Sequence, residues 1–103
     1  MEFTEQNFEK EVLNSNIPVM VDFWGSWCPP CKMMEPLVDQ LKEEYNGRVK
    51  IGKINVDRNQ TIPRRYNIAG VPTFILFKRG KEVDRKIGAV SIEAMRKFIE
   101  VVL

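Results

Sequence analysis

The sequence predicts an α/β fold in which a mixed β-sheet carries helices on both faces. Three observations lead there. Ile17 to Trp24 is an apolar, β-branched run broken only by Pro18 and Asp22, the pattern of a central strand buried on both sides. Met34, Leu37, Val38, Leu41 and Tyr45 recur at helical spacing immediately after it. Thr73–Lys78 and Lys81–Ile87 are two strand-like runs separated only by Arg79-Gly80, the signature of an antiparallel hairpin. A strand–helix alternation that ends in a hairpin gives the order β-α-β-α-β-α-β-β-α and a sheet of mixed sense. With 103 residues, 44% of them apolar and 29% charged, residues 1–103 are expected to form one domain with one core system.

Taken in order, Met1 to Phe3 suffices for a very short edge strand. Thr4 is placed to cap a first helix whose Phe8, Val12 and Leu13 share a face, and Asn14-Ser15-Asn16 breaks it. After the central strand, the long helix contains Pro36, which removes one donor and crowds the preceding turn, so a kink rather than a stop is expected. Asn46-Gly47 ends that helix. Val49–Val56 reads as the next strand, Gln60–Tyr66 as a short helix disturbed by Pro63, and Asn67–Pro72 as a loop. Ser91 caps a last helix with Ile92, Met95, Ile99 and Val102 on one face.

Composition narrows the function. No apolar run approaches the roughly 20 residues of a bilayer span. The early residues carry Glu2, Glu5, Glu9 and Glu11 rather than a basic segment and an apolar one, so the expected location is the cytoplasm. The net charge of +2 conceals an asymmetry, −6 over residues 1–47 and +8 over residues 48–103. The basic residues are interspersed with acids, as in Lys78-Arg79-Gly80-Lys81-Glu82-Val83-Asp84-Arg85-Lys86, and no aromatics alternate with them as on a base-stacking platform. Neither nucleic acid nor membrane is an expected partner, and a monomer is the expected state.

The chemistry concentrates in Trp27-Cys28-Pro29-Pro30-Cys31-Lys32, which holds the only two cysteines of the chain. On a helix N-terminus, cysteines three apart share a face and fall within disulfide range. So short a loop gains little as a staple, and cytoplasmic thiols are kept reduced. Zinc needs about four ligands, whereas this chain has two cysteines and no histidine, so no metal is expected within one chain; a site shared between two chains is the remote alternative. A c-type haem needs a histidine where Lys32 stands. A redox pair remains, or two thiols that merely pack. As a redox pair, Cys28 at the exposed end attacks a substrate disulfide, and Cys31 one turn in resolves the mixed disulfide. Neither proline can donate to the Cys28 sulfur. Pro30 biases Pro29 away from the α region, delaying the helix start to Pro30 and leaving the thiolate to the N–H groups of Cys31 and Lys32.

Two charges sit within apolar strands. Asp22 interrupts the central strand and Lys53 lies between Ile51 and Asn55. Each alone reads as a satisfied or edge-facing residue. Together they suggest a buried carboxylate of raised pKa near the cysteines that shuttles the Cys31 proton.

Val21-Asp22-Phe23-Trp24, Trp27-Cys28-x-Pro30-Cys31-Lys32, Pro36, Lys53-Ile54-Asn55-Val56-Asp57, Gly70-Val71-Pro72-Thr73, Phe77-Lys78-x-Gly80 and Gly88-Ala89 keep an order that resembles the thioredoxin family through nearly the whole chain. The resemblance implies the thioredoxin fold and a protein disulfide reductase, with Cys28 attacking, Cys31 resolving, Asp22 as buried proton acceptor and Lys53 modulating it. It implies a cis Pro72 beside the disulfide, a Val71 backbone that pairs with an extended substrate, and a docking rim of Trp27, Ala69, Gly70, Val71, Gly88 and Ala89 beside Pro29 and Pro30. It also implies protein disulfides as substrates, no bound cofactor beyond the redox-active Cys28–Cys31 disulfide, and a thioredoxin reductase, flavin- or ferredoxin-dependent, as electron donor. The family's usual Gly-Pro between the cysteines is Pro-Pro here, which bears on the potential. The alternative from another class is a binding subunit of the same fold, or a specialist whose thiols serve a single client.

Overall fold

The structure, a computed structural model, describes residues 1–103. Four strands form one sheet in the order β2-β1-β3-β4, with β1 at Val19–Trp24, β2 at Lys50–Asn55, β3 at Thr73–Lys78 and β4 at Lys81–Ile87. The central strand β1 pairs in parallel with β2 and antiparallel with β3. The crossover between β1 and β2 is helix α1, Pro29–Glu44, as a parallel connection requires. A short helix α2, Thr61–Arg65, precedes β3, and α3, Ile92–Glu100, follows β4. The mixed sheet is the predicted one, and the strands begin or end within two residues of their sequence bounds.

Local chemistry explains the punctuation. Arg79 (φ 52°) and Gly80 (φ 79°) both adopt the left-handed region, as a two-residue hairpin turn between right-twisted strands demands. A Cβ on Gly80 would also meet the Leu13 carbonyl oxygen at 2.8 Å. Ser91 Oγ accepts the Ala94 N–H and caps α3. Pro36 does not end α1, which runs on to Glu44. Met1–Phe3 forms the expected edge segment: Phe3 N–H donates to Lys53 O and Lys53 N–H to Met1 O, extending the sheet beyond β2.

The first helix differs from expectation. Thr4 and Asn7 cap each other, Thr4 Oγ1 accepting the Asn7 N–H and Asn7 Oδ1 the Thr4 N–H. The segment that follows, Glu9–Leu13, is a wide π-type turn closed by Asn14 N–H on Glu9 O. The extra residue per turn accompanies a fully buried Phe8 and Val12.

The two faces of the sheet bury separate cores. Met20, Phe74 and Leu76 pack with Met34, Val38 and Leu41 of α1 and Met95, Phe98 and Ile99 of α3. Val19, Val21, Phe23, Ile75 and Phe77 pack on the other side with Phe3, Phe8, Val12 and Ile62. Alternation along β1 therefore assigns Asp22, two residues from Met20, to the α1 face.

Candidate active site

The carboxyl end of β1 and the N-terminus of α1 meet at the cysteines. Cys28 has extended backbone and caps α1, its sulfur accepting the Cys31 N–H at 3.2 Å. The side chains of Cys28 and Cys31 are joined in a disulfide, with Cα atoms 5.3 Å apart. Three expectations are corrected here. Helix α1 begins at Pro29, not Pro30, so the two prolines fill its first two positions, where a missing N–H costs nothing because those donors have no intrahelical partner. The Lys32 N–H does not face the sulfur: it closes the first helical turn on the Cys28 carbonyl. Only the Cys31 amide is left to stabilise negative charge on Cys28.

Cys28 is also not at an exposed end. It is 1% exposed, less than Cys31 at 6%. The Val71 carbonyl oxygen lies 3.6 Å from its sulfur, a contact rather than a hydrogen bond while the disulfide leaves no thiol proton. What is exposed around the pair is mainly apolar, Trp27 at 66% with Pro29, Pro30 and Met33, beside the polar Ser26 and Lys32.

Trp27 and the loop before β3 frame the cysteines on one side. The Trp27 indole N–H donates to Asp57 Oδ1 at 3.4 Å, and the ring lies over Gly25, where a Cβ would come within 3.0 Å of it. Trp27 closes a hollow of about 130 Å³ with Val56, Pro63, Ile68, Ala69, Gly70 and Val71. The Val71–Pro72 peptide is cis. Neither the amide nor the carbonyl of Val71 is used by a backbone hydrogen bond within the chain. Thr73 Oγ1 holds the loop by donating to Gly70 O at 2.6 Å, and Gly88 N–H donates to Pro72 O.

Beneath the helix, Asp22 is 3% exposed and its Oδ1 has no hydrogen-bond partner. Burial pushes its carboxyl up to about 7; Lys53 pulls against that shift and Glu35 adds to it. Lys53 is the register partner of Asp22 across β1 and β2. Its ammonium stands 5.6 Å from the Trp24 ring centre and makes no ion pair with a carboxylate. The Trp24 indole nitrogen is likewise buried without a partner. No three His, Cys, Asp or Glu side chains gather where they could hold a metal ion.

A protein-family model described as Thioredoxin matches residues 1–101. The chain belongs to the thioredoxin family. It is 51% identical over 85 residues to the thioredoxin of Rickettsia felis, a match covering 82% of this chain and 81% of that protein. The thioredoxin of Pyropia yezoensis is 51% identical over 87 residues, 84% of this chain and 81% of the other. Thioredoxin 1 of Nostoc sp. is 41% identical over 97 residues, 94% and 91% of the two chains. A thioredoxin with its CxxC pair joined in a disulfide is a dithiol–disulfide oxidoreductase, and a binding subunit with idle thiols is not favoured.

Of the residues expected in the thioredoxin site, the structure brings together Cys28, Cys31, Trp27, Ala69, Gly70, Val71 and Pro72, and it pairs Asp22 with Lys53 on the sheet beneath. Gly88 reaches the group through its bond to Pro72, whereas Ala89 is simply exposed after β4 and does not line the hollow. Sequence reading gave no role to Val56, Pro63 or Ile68, which line the hollow, to Asp57, which steadies Trp27, or to Glu35. Pro63 carried a misleading signal. It reads as a helix disturbance, yet it sits in the first turn of α2, where proline is tolerated, and turns its ring into the hollow wall.

Proposed function

We propose that this member of the thioredoxin family reduces protein disulfides with Cys28 attacking and Cys31 resolving, and that residues 1–103 act as one domain. The observation that carries the reading is a helix-capping Cys28 sulfur joined to Cys31 beside a cis-proline loop whose Val71 backbone is unpaired. An extended substrate segment has the free Val71 amide and carbonyl to pair with, and an apolar residue of that segment has the hollow behind Trp27 to enter. Pro29 and Pro30, with Gly88 and Ala89, complete the contact surface around the disulfide.

The electrons balance as follows. The Cys28 thiolate attacks one sulfur of the substrate disulfide, and the other leaves as a thiolate. Asp22, its carboxylate steadied beforehand by Lys53, takes the Cys31 proton and afterwards gives it up to solvent. The Cys31 thiolate then attacks the Cys28 sulfur, forming the disulfide and expelling the second substrate thiolate. Two electrons pass to the substrate. A thioredoxin reductase returns them, and no bound cofactor is needed beyond the disulfide. Asp22 suits the acceptor role because a carboxyl with a pKa of about 7 can both take and release a proton near neutrality. The proposed action is in the cytoplasm, as a monomer on protein clients, without membrane or nucleic acid; no helix is long and apolar enough to cross a membrane.

Reduction of insulin disulfides by the reduced protein tests the reading. The wild type should turn insulin over, and Cys28→Ser should fall to the uncatalysed background. Equal rates for the two proteins would end the carrier interpretation in favour of a binding role.

A further inference from the structure

The Asp22 carboxylate is flanked by more charge than the reaction cycle above employs. On its β3 side stands Phe74, which carries none. On its β2 side stands Lys53, without an ion-pair partner. Helix α1 covers the face and contributes two groups, Cys31 and, four residues on, Glu35. Four residues return to the same side of a helix, and Glu35 directly follows the buried Met34, so it occupies the margin of the helix face that packs on the sheet. Its own side chain is solvent-exposed and takes part in no hydrogen bond or salt bridge. It therefore contributes nothing to holding α1 in place, and its influence on its surroundings is that of a charge.

We propose that Glu35 is a positioning residue for the proton acceptor: its negative charge, one helical turn beyond Cys31, opposes that of Lys53 at Asp22 and decides how readily Asp22 gives and takes the Cys31 proton. The chemistry follows from Coulomb's law in a buried setting. Asp22 Oδ1 has no hydrogen bond to fix its protonation state, so burial raises its carboxyl and the nearby charges adjust it from there. A carboxylate favours the neutral, proton-holding form and an ammonium the ionised one, which agrees with the opposite senses in which Glu35 and Lys53 act on Asp22. Glu35 thus adds to the burial that holds the proton on the acceptor, and Lys53 offsets part of it. The inference rests on the proposed acceptor role of Asp22 for its catalytic consequence, but not for its electrostatic content.

The two are separable in one set of measurements. The Asp22 carboxyl carbon is titrated by NMR in the oxidised protein, where the cysteines do not titrate. In Glu35→Gln the midpoint should fall by roughly half a pH unit, the size of one partly screened charge, and in Lys53→Met it should rise. The rate of mixed-disulfide resolution, read by stopped flow as the second thionitrobenzoate released from dithiobis(nitrobenzoate), should have its acid limb move with the midpoint. In an Asp22→Asn background, Glu35→Gln should leave the limb where it is. An unmoved Asp22 midpoint in Glu35→Gln overturns the inference, whatever the rates do. A moved midpoint, with a resolution profile indifferent to Asp22→Asn, supports the Glu35–Asp22 coupling and refutes the acceptor role. Since Glu35 is exposed, its variant keeps the fold, and an unchanged melting curve verifies that.

Discussion

The two faces of strand β1 use neighbouring residues for opposite ends. Val19, Val21 and Phe23 point into a core made wholly of apolar side chains, with the Phe8, Tyr66 and Phe77 rings meeting at centroid distances of 5.2 to 5.8 Å. Met20, Asp22 and Trp24 line the other face, which is equally dry at its Met20 end but becomes polar toward the cysteines. There an unpartnered carboxyl oxygen and an unpartnered indole nitrogen lie buried. Each such group costs about 1–3 kcal/mol. One face is built for stability, and the other gives stability up where the chemistry is mounted.

The largest effects should come from the heart of each face, with opposite signs. Phe23→Ala should destabilise by about 3–5 kcal/mol at every pH, through lost burial and a residual cavity. Asp22→Asn should do the reverse and stabilise, by up to about 4 kcal/mol above pH 8. The sign follows from linkage: the folded-state pKa is raised from 3.8 to about 7, so between those values the native state holds the extra proton and stability falls as pH rises. The gain from Asn is fully expressed above about pH 8, shrinks through the window, and vanishes below about pH 4. Urea unfolding at pH 4, 6 and 8.5 reads both variants; parallel pH dependences for Asp22→Asn and wild type would erase the distinction between the faces.

A smaller effect sharpens the comparison at the sheet edge. Gly52 is on the Phe3 side of β2, where a Cβ would come within 2.7 Å of the Phe3 ring and 2.9 Å of the Met1 carbonyl oxygen. Gly52→Ala should cost roughly 1–3 kcal/mol as overpacking and raise hydrogen exchange at Phe3 and Lys53, the amides that pair this edge. Disulfide reduction per folded molecule should be unaffected, because the disturbed face carries no reacting group.

Much of this was legible in the sequence, for physical reasons that differ by element. The bounds of strand β3, the Arg79-Gly80 turn and β4 were readable to the residue, since the two-residue turn punctuates both arms, whereas the shift of register between Leu76 and Phe77 left no mark in the sequence. The Cys28–Cys31 pair and Asp22 stood out because each breaks an otherwise regular pattern. Glu9–Leu13 was misread, because a π-type turn carries the same apolar periodicity over one or two turns as an α-helix. The burial of Cys28 was equally hidden: it depends on the Val71–Pro72 loop, 43 residues away in the chain, closing over its sulfur. Val56, Pro63 and Ile68 form a wall only once α2 and the loop before β3 fold against Trp27, and no local pattern encodes that meeting.

The division of labour between the cysteines is the claim on which the rest depends, and trapping tests it most directly. Reduced Cys31→Ser protein, mixed with a disulfide-bonded client and alkylated, should accumulate a mixed disulfide whose client cysteine maps to Cys28 by peptide mass spectrometry. Cys28→Ser should trap little or none. A client captured instead on Cys31 of the Cys28→Ser protein, at a yield equal to or above that on Cys28, would contradict the account.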